Sequence, residues 1–145
     1  MPAEIKGIRF STRRKPTPAA LSRLYATAWW TKGRRPQGVR SVLRHSDLIA
    51  TAWTGSRLVA FARVSTDFAY RAVLWDVIVD SGYRSRGLGR ALLRRVLDDR
   101  RLAGVESFWL FTTDKQAFYR RLGFRLHPKN VMVWRRSVPP RDGEA

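Results

Sequence analysis

The hydrophobic positions change period along this chain. Ile5 to Thr12 reads as a short strand. Thr17-Pro18 then supplies an N-cap and a first-turn proline ahead of Leu21, Leu24, Tyr25 and Ala28, whose spacing predicts a helix reaching about Trp30. Thr31 to Pro36 reads as a basic loop, followed by a short helix over Val39 to Arg44 with Val42 and Leu43 on its apolar side. Leu48 to Thr54 and Arg57 to Ser65 flank Gly55-Ser56, a two-residue hairpin signal, and Ala72 to Val79 adds a third strand to an antiparallel meander.

Beyond Val79 the repeat becomes helical. Leu88, Leu92 and Val96 form a stripe widened by Leu93 and Leu97, with Arg90, Arg94, Arg95, Asp98 and Arg101 on the other face. Gly104 stops that helix, Val105 to Thr112 reads as a buried strand, and Asp114 to Leu122 as a helix capped by Asp114 or Thr113. Val131 to Arg135 is predicted as a last strand. The order β-α-α-β-β-β-α-β-α-β implies an α+β, or mixed α/β, fold in which a mostly antiparallel sheet feeds a βαβ unit. Without internal repeats or low-complexity tracts, residues 1–145 are expected to form a single domain with frayed ends at about 1–4 and 137–145, the latter because Pro139-Pro140 cannot donate to a ladder.

Composition narrows the chemistry. The 145 residues are 44% apolar, enough for one buried core. The lack of Cys excludes disulfides, thiolate metal sites and a cysteine nucleophile, and His45 and His127 have no partner at metal-ligand spacing, so no metal is expected. No apolar run reaches the roughly 20 residues that span a bilayer, and the N-terminus has no apolar signal core. A soluble cytoplasmic protein is the expectation. The net charge is +18, carried by 24 Arg and 5 Lys against 11 acidic residues. Such a field speeds capture of any polyanion, whether nucleic acid, an anionic surface or a phosphorylated cofactor, and its sign alone does not choose. Arg34-Arg35, Arg100-Arg101 and Arg135-Arg136 read as solvated, with weak nucleic-acid binding as their joint alternative.

The stretch from Val77, Ile78 and Val79 through Asp80-Ser81-Gly82-Tyr83 to Arg84-Ser85-Arg86-Gly87-Leu88-Gly89-Arg90 joins a strand to the strongest helix through a basic, glycine-bearing turn. Backbone N–H groups at a helix start have no internal partner, and the dipole there favours negative charge. Glycines at 87 and 89 let the backbone approach a pyrophosphate, to which Arg84, Arg86 and Arg90 add charge-assisted bonds. Gly89 is followed by Arg90-Ala91 rather than Lys-Ser/Thr, which excludes a Walker loop, and Leu92 stands where a dinucleotide fingerprint needs a third small residue.

Arg84-x-x-Gly87-x-Gly89 resembles the acetyl-CoA signature of the GNAT N-acetyltransferase superfamily, and Ala117-Phe118-Tyr119-Arg120-Arg121-Leu122-Gly123-Phe124 resembles its C-terminal Phe-Tyr-x-x-x-Gly-Phe block. The resemblance covers about Leu48 to Trp134. A narrower likeness, in Ala62 to Asp67 and Trp75 to Tyr83, is to the plastid and cyanobacterial serotonin N-acetyltransferase group. It implies a GNAT-like fold, acetyl-CoA as cosubstrate on residues 77–79 and 84–90, and direct transfer of acetyl to a primary amine, with serotonin and tryptamine favoured. It further implies Tyr119 as the acid that protonates the departing thiolate, and backbone N–H groups around Ile78 and Val79 as donors to the thioester carbonyl.

The base is open. Relatives place histidines or a glutamate on the strand before the signature, but Val73 and Trp75 occupy the comparable positions here, leaving Asp76, then Asp67, or a water relay. An alkylamine near pKa 10.4 must lose a proton first, a handicap on the order of 4 kcal/mol at pH 7. Asp67, Asp76, Trp29, Trp30 and Tyr70 are the candidate acceptor-pocket residues, since carboxylates and ring faces suit an ammonium and an indole. Two alternatives remain: a protein lysine or N-terminal acetyltransferase, and a non-catalytic basic module for nucleic acid. The resemblance also allows a homodimer.

Overall fold

A computed structural model describes residues 4–127 and 131–135. The chain divides into two compact units, Met1–Thr112 and Thr113–Ala145. Apart from Glu4, the ends expected to fray lie outside the described residues, as does Arg136.

In the first unit β1 (Arg9–Ser11), β2 (Leu48–Thr54), β3 (Arg57–Thr66), β4 (Arg71–Val79) and β5 (Ser107–Trp109) form one sheet in sequence order, antiparallel except for the parallel β4–β5 pair. Gly55, at φ 56°, supplies the positive φ that the two-residue β2–β3 turn requires. Val59, Ala60, Phe61 and Ala62 are all fully buried. Because successive strand residues point to opposite faces, both faces of β3 must be covered. On one face α1 (Pro18–Tyr25) and α2 (Pro36–His45) bring Leu21, Leu24, Tyr25, Val39 and Leu43 together with Ile49, Trp53, Leu58, Phe61 and Ile78. Between β4 and β5, α3 (Leu88–Leu97) buries Leu88, Ala91, Leu92, Leu93 and Val96 and packs on β2, β3 and β4.

The first helix stops at Tyr25, short of the expected Trp30. Thr17 caps its start as anticipated, its hydroxyl accepting from Ala20 N–H at 3.2 Å. At the other end Thr27 Oγ1 donates to the Leu24 carbonyl at 2.6 Å and Thr31 Oγ1 to the Tyr25 carbonyl at 2.7 Å. These hydroxyls claim carbonyls that a continuing helix would use, so the chain leaves the helix and carries Trp29 and Trp30 into a turn. The second helix is longer than expected because Pro36 serves as its first-turn residue. The helical stripe of α3 breaks at Asp98, and a separate 3₁₀ turn over Arg100–Leu102 follows, capped by Asp99, which accepts from Arg101 N–H.

The strand expected over 105–112 shortens to β5, since Val105 N–H turns back to the Leu102 carbonyl. In the second unit α4 (Gln116–Arg121) begins after Lys115 without the side-chain cap expected from Thr113 or Asp114. It ends in a Schellman motif: Gly123, at φ 97°, sends its N–H to the Arg120 carbonyl, and Phe124 N–H reaches the Tyr119 carbonyl at 3.1 Å. Residues 131–135 form no strand. Their alternation is a strand pattern without a ladder to hold it, and Val131, Met132, Val133 and Trp134 are all exposed.

Candidate active site

The turn after β4 is built by Asp80. Its carboxylate accepts from Gly82 N–H at 3.0 Å and from Arg57 Nη2 at 3.0 Å, and its carbonyl accepts from Tyr83 N–H at 2.8 Å, closing a 3₁₀ turn over Ser81–Tyr83. Burial alone would raise the Asp80 pKa, but the bonds from Arg57 and Gly82 outweigh it and hold the carboxyl below its usual range. Ser85 and Gly87 then both adopt left-handed backbone, at φ 64° and 79°. Such reversals turn successive N–H groups toward a common side, the geometry of an anion nest. Gly87 is the N-cap of α3, with no side-chain cap and no acidic residue in the first turn. Apart from its own chain neighbours and the helix backbone, no described atom lies within 4 Å of where its Cβ would stand. The opening therefore offers uncapped donors, a helix dipole and room for an anion against the backbone.

The side chains of this stretch divide by task. Arg84 Nε donates to the Val79 carbonyl at 3.2 Å, Arg86 lies over the Tyr83 ring, and Arg90 is exposed on the first turn of α3. Leu88 and Ile78 are core residues and can offer only backbone groups.

Beside this turn β4 has an open edge. β5 pairs with it only at Arg71, Ala72 and Val73, while β4 continues to Val79. Asp80 N–H donates to the Val59 carbonyl, so by alternation Ile78 faces β3 and Val79 turns its N–H toward the open side. Val79 is thus the donor that the strand can present to an acyl oxygen.

The strand is also bulged. Phe61 pairs with Ile78 and Arg63 with Trp75, so Asp76 and Val77 together oppose Ala62. Asp76 is left-handed at φ 54°, and its side chain is 3% exposed. Oδ2 accepts from Tyr25 Oη at 2.6 Å, Arg34 Nη1 at 2.6 Å and Arg63 Nε at 2.8 Å, and Oδ1 accepts from Arg34 Nη2 at 3.0 Å. Burial pushes its pKa up, but the bonds from Arg34, Tyr25 and Arg63 outweigh this and hold it below the ordinary carboxylate range. The same burial and the facing carboxylate push the Tyr25 phenol well up. Asp76 is therefore a poor proton acceptor, ionised and already carrying four hydrogen bonds.

Asp67 and Tyr70 are not gathered here. Asp67 Oδ1 accepts from the N–H groups of Ala69, Tyr70 and Arg71 at 2.9, 2.7 and 3.2 Å, which makes it the organiser of the β3–β4 loop. Those bonds lower its pKa. The loop also holds exposed Tyr70 and lies at the opposite end of β4 from Val79, roughly 25 Å away by strand rise. Trp29 and Trp30 are exposed in the turn after α1. Tyr119 belongs to the second unit, where its ring meets Phe118 and Phe124 edge-on at centroid distances of 5.0 and 5.9 Å. Burial first, then the Asp114 carboxylate, push its phenol up to about 12, so it is protonated at neutral pH.

Reading the sequence passed over Tyr25, Arg34, Arg63 and the Trp75–Phe111 pair. Arg34, expected to be solvated, is half-buried on Asp76, and Arg101 is likewise engaged, with Asp99 and the Thr12 carbonyl. Arg63 did carry a signal: it stands two residues after Phe61, on the core-facing side of β3. Directly opposite, Trp75 stacks on Phe111 with centroids 5.7 Å apart and planes at 27°.

The pattern of the acetyltransferase (GNAT) family matches residues 10–124. Serotonin N-acetyltransferase 2, chloroplastic, of Oryza sativa subsp. japonica is 33% identical over 137 residues, 89% of this chain and 68% of the relative. An uncharacterized N-acetyltransferase of Porphyra purpurea is 30% identical over 138 residues, 90% of this chain and 79% of that protein. A crystal structure from Xanthomonas campestris pv. campestris, described as belonging to the GNAT family, superposes with a TM-score of 0.79 at 32% identity, covering 94% of this chain and 96% of that one. The family match runs from Phe10 to Phe124 and the Xanthomonas structure superposes over 94% of this chain, and on that ground the chain belongs to the GNAT family and is an acetyltransferase.

Proposed function

We propose that this enzyme moves acetyl from acetyl-CoA directly to a primary amine borne on an aryl skeleton, of which serotonin and tryptamine are the simplest tests. The observation that carries the cosubstrate is the turn from Asp80 to Gly87, whose left-handed residues open the uncapped start of α3 to a diphosphate. The half-open edge of β4 next to it suits an extended pantetheine arm lying where β5 has ended. The stacked Trp75–Phe111 pair, on the α1/α2 face of that strand, supports an aryl acceptor, as does the serotonin N-acetyltransferase name of the rice relative.

The chain's own groups then have defined tasks. Val79 N–H stabilises the negative charge that develops on the thioester oxygen. The ammonium first gives a proton to water, its lone pair forms the N–C bond as the C–S bond breaks, the departing sulfur takes the Tyr119 hydroxyl proton, and the extra proton on the new amide nitrogen passes through water back to the Tyr119 oxygen. Water is preferred to Asp76 as the proton acceptor because both Asp76 oxygens are engaged and its pKa is depressed.

Mass spectrometry of incubations with acetyl-CoA and serotonin, tryptamine, spermidine or a lysine peptide tests this. Acetylated indolamines in excess of the other products are expected. Preferential acetylation of the peptide would overturn the acceptor in favour of a protein substrate. Absence of acetyl-CoA binding would overturn the site itself and leave the basic surface to nucleic acid.

A further inference from the structure

Arg63 has a task beyond holding Asp76. Arg34 already binds that carboxylate through both of its amino groups, one to each oxygen, so charge neutralisation needs no second guanidinium. Arg63 contributes only Nε, at 2.8 Å, and among the described residues no acceptor meets its two terminal amino groups. Its side chain is 18% exposed, and the Nε bond fixes its plane. Fixing costs little entropy later, because an ordered guanidinium is pre-organised for a second, planar anion.

The surroundings define that anion. Tyr25 is held neutral, so Arg34 and Arg63 against Asp76 leave the bulge one positive charge in excess. Among the described residues no further carboxylate bonds or pairs with this cluster to receive an acceptor's ammonium. The Arg63 guanidinium carbon lies 5.9 Å from the Trp75 ring centroid, and Trp75 continues into the stack with Phe111, which is 60% exposed. An aromatic surface and an oriented guanidinium whose terminal amino groups meet no acceptor among the described residues are therefore side by side. A simple arylalkylammonium brings a charge that both this cluster and the +18 chain repel, whereas the zwitterion of an α-amino acid does not.

Resting on the aryl-amine reading above, we propose that the acceptor is an aromatic α-amino acid or a close analogue with a carboxylate beside its amine, and that Arg63 is the specificity residue that receives this carboxylate while Trp75 and Phe111 receive the ring. The pairing is charge-assisted and matches the guanidinium fork to a planar anion.

The test compares kcat/KM for matched acceptors: tryptophan with tryptamine, 5-hydroxytryptophan with serotonin, phenylalanine with phenethylamine. The amino acid of each pair is expected to be favoured by about tenfold or more, and tryptophanamide, whose carboxylate is masked, to lose that advantage. Arg63→Met, which keeps an apolar stem, should abolish the preference chiefly through KM for the amino acid and leave acetyl-CoA affinity unchanged. Arg63→Lys should restore it only in part. Preference for the decarboxylated amines, equal use of tryptophan and tryptophanamide, or a preference that survives in a folded Arg63→Met would each overturn the proposal. Acetylation of tryptamine but not tryptophan would refute it while leaving the aryl-amine reading intact. No product from any aryl acceptor, with acetyl-CoA bound, would refute both. The amide comparison uses the unaltered protein and so decides the matter even if the variant does not fold.

Discussion

Asp76 combines left-handed backbone, nearly complete burial and four hydrogen bonds from three side chains. Placing an L residue there costs about 1–2 kcal/mol, which the network offsets. Asp76→Asn leaves Arg34 and Arg63 facing an uncharged amide and should destabilise the fold by about 3 kcal/mol at pH 7, measured by urea unfolding. The folded pKa of Asp76 lies below its unfolded value, so its contribution is complete above about pH 4 and is lost as pH falls through the folded pKa. The stability gap between wild type and Asp76→Asn should accordingly narrow below pH 4.

Tyr119 poses the opposite case. With its phenol pushed up to about 12, it keeps its proton throughout the neutral range, and kcat should show no descending limb from this group between about pH 7 and 10. Tyr119→Phe is expected to lower kcat about 100-fold with acetyl-CoA affinity within about twofold. Retained turnover would make the ring's packing on Phe118 and Phe124 its whole role.

At the scale of elements, the junction of β4 and α3 depends on residues that depart from regular structure. Gly87 as N-cap stands at φ 79° with open space before its missing Cβ. Gly87→Ala would meet no steric clash, so its effect on stability should be limited to about 1–2 kcal/mol of backbone strain. Its effect on acetyl-CoA should be larger, a loss of about tenfold or more by calorimetry, because the methyl enters the space assigned to phosphate. Equal, small effects on both would move the anion site elsewhere. The Schellman ending of α4 has the same logic: Gly123 supplies the positive φ, and Phe124 then lies against Tyr119, fixing the ring that carries the proposed proton.

For the molecule as a whole, charge is the distinguishing property. A chain of +18 should attract the multiply anionic cosubstrate over long range, and that attraction is screened within about 8–10 Å at physiological salt. The association rate of acetyl-CoA, followed by stopped flow, should fall severalfold between about 50 and 200 mM NaCl while its dissociation rate changes little. A salt-independent association rate would confine the electrostatics to the turn. No described helix is long and apolar enough to cross a membrane.

Much of this was legible in the residues. Apolar runs around the Gly55-Ser56 turn signal located β2 and β3, period-2 alternation located β4, and the leucine stripe located α3, because these signals are local to each element. The turn between β4 and α3 was legible for the same reason: glycines and uncapped helix donors are local properties. The end of α1 was not, because it is decided by which carbonyls the Thr27 and Thr31 hydroxyls claim. Nor was the residue triad around Asp76, whose partners come from α1, the following loop and β3, with Arg34 separated from it by 42 positions. Local spacing determined the strands, the long helix and the glycine-bearing turn between β4 and α3; only tertiary structure decided which charges became neighbours, since burial and pairing depend on groups that the sheet and helices bring together from distant parts of the chain.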